Sequence, residues 1–407
     1  MNGWALFDWA NSAFALVITT AIFPAYFTGV VDDEFTVAGI RFTDSSWFAY
    51  SISLSYLVIA ALSPFLSGIA DAGGRRKGFL KFFTTMGGLS CLSLFFFTGM
   101  DTLWLGTLGF VLGLIGFAGG LVFYNSFLPV IATPDKFDGL SARGFSMGYI
   151  GSVLLLLLNL AMVQVPEVFG LPEEGTLPVR LAFVTVGIWW LLFAAISLAR
   201  LPDDVRRPGT GLVDMARRGV RELRGVAGRV RQHAQAVRFL GAFFSYSAGV
   251  QTVIFLASTF ASVELGFGTS ELIIVVLILQ IVAIGGAYLA AKLSAWRGNK
   301  FALYFELIVW ASICLLAYLV QDKTQFYFIA GLVGLVMGGI QSLSRSTYAK
   351  LIPDPEETTS WFSFYDVLEK VAIVLGTFLF GLLDAITGSM RVSVVILTVF
   401  FLLGMIL

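Results

Sequence analysis

Histidine and cysteine are scarce in this sequence. Its 407 residues include one histidine, His233, and two cysteines, Cys91 and Cys314, which fall in different apolar segments. We therefore expect neither a disulfide framework nor a metal site built from thiolates or imidazoles, and no cofactor. The motif HExxH is absent, and the single histidine lies outside the apolar segments. Without a catalytic constellation, we predict that the protein is not an enzyme.

Charged residues are also few. They make up 13% of the chain against 57% hydrophobic residues, and the mean hydropathy is +0.87. This balance predicts an integral membrane protein. The net charge is zero, so no basic field points to a nucleic-acid partner. The N-terminus lacks a basic stretch followed by a cleavage site, and Asp8 and Asn11 interrupt the first apolar run, which we interpret as a membrane helix rather than a signal peptide.

Apolar segments long enough to span a bilayer recur along the chain. A spanning helix needs about 20 mostly apolar residues. We predict twelve such segments, at 4-30, 46-70, 78-100, 103-131, 142-164, 179-200, 238-263, 269-292, 300-320, 325-351, 358-387 and 391-407. They group into an N-terminal six-helix bundle at 1-200, a basic linker at 201-237 and a C-terminal six-helix bundle at 238-407.

Lysine and arginine are distributed unevenly between the predicted loops. With the N-terminus inside, the inner loops hold 20 of the 26 basic residues and the outer loops hold four. This bias predicts that both termini and the linker are cytoplasmic, in a bacterial-type inner membrane. Apolar linker residues recur at helical spacing opposite many arginines, which predicts an amphipathic helix on the inner leaflet. A plain basic spacer is the alternative interpretation.

Two stretches of the sequence resemble each other at a distance of 219 residues. Gly338-Gly339 corresponds to Gly119-Gly120, and Pro353-Asp354 corresponds to Pro134-Asp135. A repeat of this length indicates two similar halves. Such halves are typical of transporters that bind their solute near the middle of the membrane.

The loop after the second predicted segment carries a glycine-rich basic motif, SGIADAGGRRK, at residues 67-77. Together with six plus six segments and a basic linker, it resembles the major facilitator superfamily. Asp71, Gly74, Arg75 and Arg76 match that family's motif, whereas a serine and an alanine depart from it at positions 67 and 72. The resemblance implies an all-α membrane protein with twelve transmembrane helices in two pseudo-symmetric six-helix bundles. We expect the glycines to allow a tight turn. Asp71 should lie near the N-terminal end of a following helix or a loop arginine and latch this two-helix unit, so that these four residues are structural and gating rather than substrate ligands.

Three further blocks narrow the resemblance. They are WALFDWANSAF from Trp4, GGIQSLSRS from Gly338 and WFSFY from Trp361. In this order they are similar to the vacuole-effluxer-like family, which includes the autophagy-related vacuolar amino-acid effluxer of fungi and bacterial relatives. The resemblance implies amino acids as the substrate class. It also implies an acidic residue before Gly249, where this chain has Ala248, so any ion coupling in relatives would work differently here or be lost.

Polar residues in the first half of the chain form one candidate group. Asp8 and Asn11 fall three residues apart, on one face of the first segment. We expect Asp8 to be either an inner gate or proton acceptor, or a latch to a basic neighbour. Tyr124 and Asn125 offer polar tips to a zwitterionic or polyhydroxylated solute, although packing between helices is the alternative for each.

Arg345 is the centre of a second group. It lies eight residues before Pro353, which follows the predicted end of its segment, and one turn after Gln341. A lipid-facing arginine would cost roughly 2.5 to 3.5 kcal/mol, so its helix must face protein or water. Its fork of donors suits a carboxylate, either that of the substrate or that of Asp8 or Glu369. A buried gate pair is the alternative.

The eleventh predicted segment holds the third group. Asp366, Glu369 and Lys370 share one face, so Asp366 and Lys370 can pair within one turn. Glu369 and Lys370 lie near the membrane midplane, where ionisable residues are usually functional. The alternative is a self-neutralised pair that orients the helix. Gln251 lies at a similar depth, one turn and a half after Tyr246, and both could contact solute.

These observations predict a secondary active transporter that moves a small polar solute, with amino acids first. A sugar, a peptide or a drug-like solute is the alternative substrate. A membrane receptor or scaffold without transport is the alternative function, which Ala248 permits. The expected partners are the solute and the lipid bilayer, with protons as a candidate coupling ion, and the expected state is a monomer.

Overall fold

The computed structural model describes residues 1–205 and 212–407, and most of them are helical. The first half contains α1 (Asn2–Ala13), a π-helix (Phe14–Ile22), α2 (Phe23–Val30), β1 (Glu34–Val37), β2 (Ile40–Thr43), α3 (Asp44–Gly73), α4 (Arg76–Ser93), α5 (Leu103–Asn125), α6 (Leu128–Ile131), α7 (Phe137–Gln164) and α8 (Leu177–Arg200). There follow α9 (Leu212–Gln232), α10 (Ala234–Leu265), α11 (Thr269–Leu319), α12 (Lys323–Lys350), α13 (Thr358–Thr387), α14 (Met390–Ile396) and α15 (Thr398–Ile406). Short 3-10 turns lie at Leu94–Phe96, Met100–Thr102, Pro134–Lys136, Pro166–Phe169 and Pro355–Glu357.

The described helices include ten that are long and apolar enough to cross a membrane. One of these, α11, has 51 residues, and Gly298 with φ 84 interrupts its helical backbone. A residue with a side chain rarely adopts this φ, so glycine allows the break here. With α11 divided at Gly298 and the apolar stretch Met390–Ile406 included, the described helices account for the twelve predicted segments.

The first membrane segment is not a uniform α-helix, as the sequence led us to expect. Nine residues, Phe14–Ile22, form a π-helix between α1 and α2, and Pro24 lies in the first turn of α2. π-helical turns are rare and occur often at functional sites. Hydrophobic periodicity could not predict this turn, because π and α backbones differ little in the residue types that they favour.

A small antiparallel hairpin, β1 with β2, also escaped the all-α expectation. Glu34 pairs with Thr43 and Val37 with Ile40. The turn residues Ala38 and Gly39 have φ values of 51 and 80, as a type I′ hairpin turn requires. Strands of four residues are too short to give a clear alternation in sequence.

The linker contains the predicted amphipathic helix, α9, while residues 206–211 of the predicted range lie outside the described part. Val226 and Val230 of α9 are buried. A Cβ added at Gly68 would lie 2.3 Å from the carbonyl oxygen of Gly219, so α9 approaches the end of α3 backbone to backbone. At least one face of this helix therefore packs on protein, whereas the sequence led us to expect a helix on the inner leaflet.

The chain divides into two compact units. The first takes in Met1–Ser63, Gly73–Tyr124 and Met147–Thr210. The second takes in Pro64–Ala72, Asn125–Ser146 and Gly211–Leu407. The second unit thus combines the C-terminal helices with the end of α3 and the segment that joins α5 to α7. The domain boundaries drawn from the sequence, at 200 and 238, stay a prediction.

Glycines set the closest helix packing in the second unit. A Cβ at Gly286 of α11 would lie 1.9 Å from the carbonyl oxygen of Leu335, and one at Gly338 of α12 would lie 2.1 Å from that of Ala283. Only glycine lets two backbones approach so closely. The first half of α11 and the middle of α12 are therefore held at one register.

Candidate functional site

Asp8 lies in an aromatic pocket of the first unit. Its side chain is buried, and Oδ2 accepts a hydrogen bond of 2.7 Å from the Tyr124 hydroxyl. Trp4 and Phe7 stack on the Tyr124 ring at 4.5 and 4.8 Å, and Trp4 Nε1 donates to the Tyr124 carbonyl at 2.9 Å. The stacked rings fix the phenol, and the phenol orients the carboxylate. The structure thus brings together two of the sequence-predicted residues, Asp8 and Tyr124.

Asn11 is the next polar residue on that face. It is 2% exposed, and its Oδ1 has no hydrogen-bond donor among the described residues. A buried polar atom without a partner costs about 1 to 3 kcal/mol, so such atoms usually have a use. The π-helix begins three residues later, at Phe14. Asn11 is therefore a candidate contact for solute or water.

Arg345 of α12 is 2% exposed and is held by neutral groups of the second unit. Its Nε donates to Ser141 Oγ at 2.9 Å, its Nη2 to the Ser141 carbonyl at 2.9 Å, and its Nη1 to Asn125 Oδ1 at 3.3 Å. The guanidinium also lies 4.1 Å from the centre of the Phe145 ring, a cation–π contact. The predicted pairing with Asp8 or Glu369 stays a prediction. Sequence reasoning identified Arg345 and Asn125 but not Ser141, which lies 204 positions away.

The charges of α13 form a buried cluster. Lys370 forms an ion pair with Asp366 one turn earlier, as the spacing predicts, and its Nζ lies 3.6 Å from Glu369 Oε2. The side chains of Lys370 and Asp366 are 5% and 6% exposed, whereas that of Glu369 is 26% exposed. Gln251 of α10 donates to Glu369 Oε1 at 3.5 Å. Glu369 is therefore the accessible end of a cluster that is otherwise enclosed.

Tyr246 joins this cluster to the helix that bears Arg345. Its hydroxyl shares a hydrogen bond of 2.7 Å with Ser344 Oγ, next to Arg345 on α12. One turn earlier, Phe243 stacks on Tyr365 of α13 at 3.9 Å. These contacts tie α10, α12 and α13 together. Gln341, also predicted, lies in α12 one turn before Arg345 and is half-buried.

The glycine-rich basic motif, for which we predict a gating role, lies where α3 ends. The Asp71 carboxylate accepts hydrogen bonds from the main-chain N–H groups of Thr359, at 3.3 Å, and Ser360, at 2.6 Å. These amides belong to the first turn of α13, where the helix dipole favours a negative charge. Asp71 thus contacts the N-terminus of α13, a helix far later in the chain, whereas the sequence led us to expect a latch between the two neighbouring helices.

The rest of the motif forms the turn into α4. Gly74 has φ 58, a left-handed value that suits glycine, and Arg75 caps α4 from an exposed position. Arg76 is the first residue of α4. In the same unit, Asp204 accepts hydrogen bonds from the main chain of Lys77 and Gly78 at 2.8 and 3.0 Å. The first turn of α4 therefore also has a carboxylate cap, which sequence reasoning missed.

A second polar cluster of this kind was not predicted. Asp138, in the first turn of α7, accepts hydrogen bonds from Ser294, Asn299 and Lys350 at 2.8, 2.9 and 2.7 Å. Lys350 Nζ also donates to Asn299 Oδ1 at 2.7 Å. Asn299 lies in the segment from Lys292 to Lys300, a weaker second-half copy of the glycine-rich basic motif that keeps Arg297-Gly298-Asn299-Lys300 but lacks the aspartate. The absence of that aspartate was the sequence signal for this cluster, because Asp138 supplies a carboxylate from another part of the chain.

Glu306 was also missed. It lies within the second membrane-spanning part of α11, is 4% exposed, and its Oε2 has no hydrogen-bond donor among the described residues. Its Oε1 packs over Gly339 of α12, where an added Cβ would lie 1.8 Å away. An acidic residue inside a predicted span is by itself a functional signal, so the sequence could have revealed it.

One short motif has no catalytic meaning here. Residues 144–148 read GFSMG, which fits the G-x-S-x-G spacing of serine hydrolases. In those enzymes the serine sits on a sharp strand-to-helix turn. Here the five residues lie inside the continuous helix α7, and Ser146 donates to the carbonyl of Ile284 at 3.2 Å. The spacing therefore builds no nucleophile elbow.

Solved structures resemble the fold as a whole. FucP, a major facilitator superfamily transporter in the outward conformation, matches with a TM-score of 0.71 at 14% identity, over 99% of this chain and 97% of its own. The proton:xylose symporter XylE matches with a TM-score of 0.70 at 13% identity, over 99% and 92%. At these identities the likeness shows the fold alone, which is the predicted all-α fold of the major facilitator superfamily.

Sequence relatives give the family. The MFS-type transporter YxiO of Bacillus subtilis is 31% identical over 408 residues, which cover 100% of this chain and 93% of that protein. Autophagy-related protein 22 of Eremothecium gossypii is 27% identical over 98% of this chain and 88% of its own length. Residues 1–407 match the family described as "Vacuole effluxer Atg22 like". The chain therefore belongs to the Atg22-like vacuole effluxer family and is a multi-pass membrane transporter of the major facilitator type, not an enzyme.

Proposed function

We propose that the protein is a secondary active transporter that moves amino acids by alternating access. The observation that carries this proposal is the partly exposed Glu369 at the end of a buried charge cluster. Asp366 already compensates Lys370 at closer range, so Glu369 has negative charge to offer to a ligand cation. A primary ammonium group satisfies a carboxylate by charge and by three donors.

The rest of an amino-acid substrate can be assigned in the same terms. The Gln251 amide lies beside Glu369 and offers both a donor and an acceptor to the α-substituents of the solute. Arg345 is the candidate for the α-carboxylate, because its guanidinium presents a planar fork that matches a carboxylate. Asp8, Asn11 and Tyr124 belong to the first unit and stay separate candidates for contact with the solute.

Alternating access requires contacts that form and break. The second unit holds three polar contacts between helices far apart in sequence: Asp71 with the first turn of α13, Asp138 with Lys350, and Arg345 with Ser141. Each joins a segment from the first half of the chain to a C-terminal helix. We propose that they form a gate at the cytoplasmic ends of the helices and separate when that side opens.

Uptake into proteoliposomes tests the substrate class. Purified protein is reconstituted and supplied with radiolabelled amino acids, sugars and dipeptides in turn. We expect amino-acid uptake that Glu369→Gln abolishes. Glu271→Gln is the matched control, because Glu271 pairs with Lys323 at the start of α11 with 33% of its side chain exposed, and it should transport at the wild-type rate.

Other outcomes of this panel are informative. Uptake of sugars or dipeptides with no amino-acid uptake would favour the alternative substrates. Saturable binding of amino acids without uptake, under every gradient, would favour a receptor. If Glu369→Gln transports amino acids like the wild type, Glu369 does not hold the ammonium.

We further propose a monomer with both termini in the cytoplasm of a bacterial-type inner membrane. The 20-to-4 distribution of basic residues supports this orientation. A cysteine introduced in the linker, Gly225→Cys, should react with a membrane-impermeant maleimide only after cells are opened. Labelling in intact cells would show that the linker faces the outside and would contradict the proposed topology.

A further inference from the structure

Glu306 is a buried acid that the proposed transport site does not use. It lies eight residues after the break at Gly298, which is about 12 Å along the helix. It is 4% exposed, and Oε2 has no hydrogen-bond donor among the described residues. A carboxyl group in this position within a membrane span is rarely kept without a purpose.

Helix α12 leaves room for the Glu306 carboxyl group. Gly339 leaves room for Oε1, since a Cβ there would lie 1.8 Å from that oxygen. The neighbouring Gly338 brings the α12 backbone against Ala283 of α11, where a Cβ would lie 2.1 Å from the carbonyl oxygen. The backbone of α12 is thus fixed in place, and Glu306 occupies the space that Gly339 leaves.

The groups around Glu306 supply no positive charge within the described residues. Tyr246 of α10 lies within electrostatic reach of both Glu306 and Glu369. On α11 itself, Tyr304 donates to the carbonyl of Met405 at 2.6 Å. Lys300 holds its ammonium 5.7 Å from the centre of the Tyr304 ring. A carboxylate without a nearby cation is strongly disfavoured when it is removed from water, so this burial favours the neutral carboxyl group.

We infer that Glu306 is a proton-binding site that couples proton movement to transport, an inference that rests on the proposed transport function. One proton passes from water to a Glu306 carboxylate oxygen while the pocket is open, and an O–H bond forms. When water re-enters as the part of α11 after Gly298 moves away from Gly339, that bond breaks and the proton returns to water. Tyr246 connects the protonation of Glu306 to the transport site. It lies within electrostatic reach of Glu306 and Glu369, and it shares a hydrogen bond with Ser344 beside Arg345.

Infrared spectroscopy of the purified protein tests the proton site without any substrate. The wild type at neutral pH should show the C=O stretch of a protonated carboxyl group, and its shift in deuterated water should be slow because the group is enclosed. Glu306→Gln should lose this band, and Glu271→Gln should keep it. A band of equal size in Glu306→Gln would overturn the inference.

A second variant covers the case in which Glu306→Gln does not fold. Glu306→Asp shortens the side chain by one methylene group, so the carboxyl group withdraws from Gly339 and the C=O stretch should shift. An unshifted band would assign the protonated carboxyl group to another residue and also overturn the inference.

Transport assays distinguish a failure of the proton site from a failure of the proposed transport function. In proteoliposomes with an inward or outward proton gradient, the wild type should accumulate the amino acid that the uptake panel identifies. The ratio of gradient-driven accumulation to solute exchange should fall in Glu306→Gln to its value without a gradient, and stay unchanged in Glu271→Gln. An unchanged ratio in Glu306→Gln refutes coupling by this residue. If no solute is transported but the infrared band depends on Glu306, the proton site stands and the transport function fails.

Discussion

Two buried acids of the second unit, Asp366 and Glu306, have opposite surroundings: one lies beside a cation and the other against a glycine backbone. Asp366 forms an ion pair with Lys370 one turn further along the same helix. Glu306 has a glycine backbone against one oxygen and no donor for the other among the described residues. Both are 4% exposed. Equal burial therefore does not decide whether a membrane carboxyl group acts as a charge; the nearest partner does.

The difference follows from the energetics of burial. Removing a charge from water costs several kcal/mol, and a close opposite charge offsets that cost. Asp366 can stay ionised because Lys370 lies beside it. In our proposal, Glu306 avoids the cost by holding a proton. The variants below test this contrast, from the largest expected effect to the smallest.

Removing Lys370 should have the largest effect on stability. Lys370→Ala leaves Asp366 as an uncompensated buried charge, which typically costs about 3 to 5 kcal/mol. The double variant with Asp366→Ala should recover most of this loss, since neither charge remains. Thermal unfolding in detergent measures both. An equal loss in the single and double variants would show that packing, not charge, is at stake.

The two glycines beside Glu306 should respond differently. Gly338→Ala meets a main-chain oxygen that cannot move aside, and we expect a loss of about 1 to 3 kcal/mol, as overpacking usually costs. Gly339→Ala meets the end of the Glu306 side chain and should cost less. Combining it with Glu306→Ala should remove its effect, whereas Glu306→Ala should not rescue Gly338→Ala. Equal rescue of both would contradict the pocket that we describe.

Asp71 should affect the rate of transport more than stability. Asp71→Asn removes the negative charge from the N-terminus of α13, an interaction worth about 0.3 to 1 kcal/mol. We expect a slower maximal rate with little change in substrate affinity, measured by uptake kinetics and equilibrium binding. Asp138→Asn should behave in the same way, because it breaks the contact with Lys350. A large loss of binding with a normal rate would move these residues into the substrate site.

The smallest effects concern the exposed start of α4. Asp204→Ala removes the carboxylate that caps Lys77 and Gly78 and should cost about 0.5 kcal/mol, the low end for a helix cap, because Gly78 is exposed. Asp203→Ala should cost less, since its carboxylate is exposed. The hydrogen bond from the Lys77 ammonium lowers the pKa of Asp203. The small stabilisation is therefore present at neutral pH and lost as the pH falls through that lowered pKa, so wild type and Asp203→Ala should unfold alike in acid.

Parts of the candidate site were predictable from local sequence. Asp366 and Lys370 pair because residues four apart on a helix are neighbours. Arg345 had to face protein or water, because lipid would exclude it. Two of its contacts, with Ser141 and Asn125, reach 204 and 220 positions along the chain. No local pattern specifies a contact at that distance.

Other features needed the packed structure. Glu306 is visible in the sequence as an acid inside an apolar segment, but its position over Gly339 depends on how α11 and α12 lie together. Asp138 looked like a loop residue, and only the structure places it beside Lys350 and Asn299. The π-helix and the hairpin lack a sequence period strong enough to predict them.

The sequence by itself determined that this chain is helical, crosses the membrane about twelve times and keeps a few charges within its spans. The reason is that a bilayer requires long apolar segments with their backbone hydrogen bonds satisfied internally, and both requirements are local. The tertiary structure alone decided that the carboxyl group of Glu306 is enclosed against Gly339. Such an environment depends on glycines, hydroxyl groups and charges that come from distant segments. Their distances from a buried carboxyl group determine whether that group carries a charge.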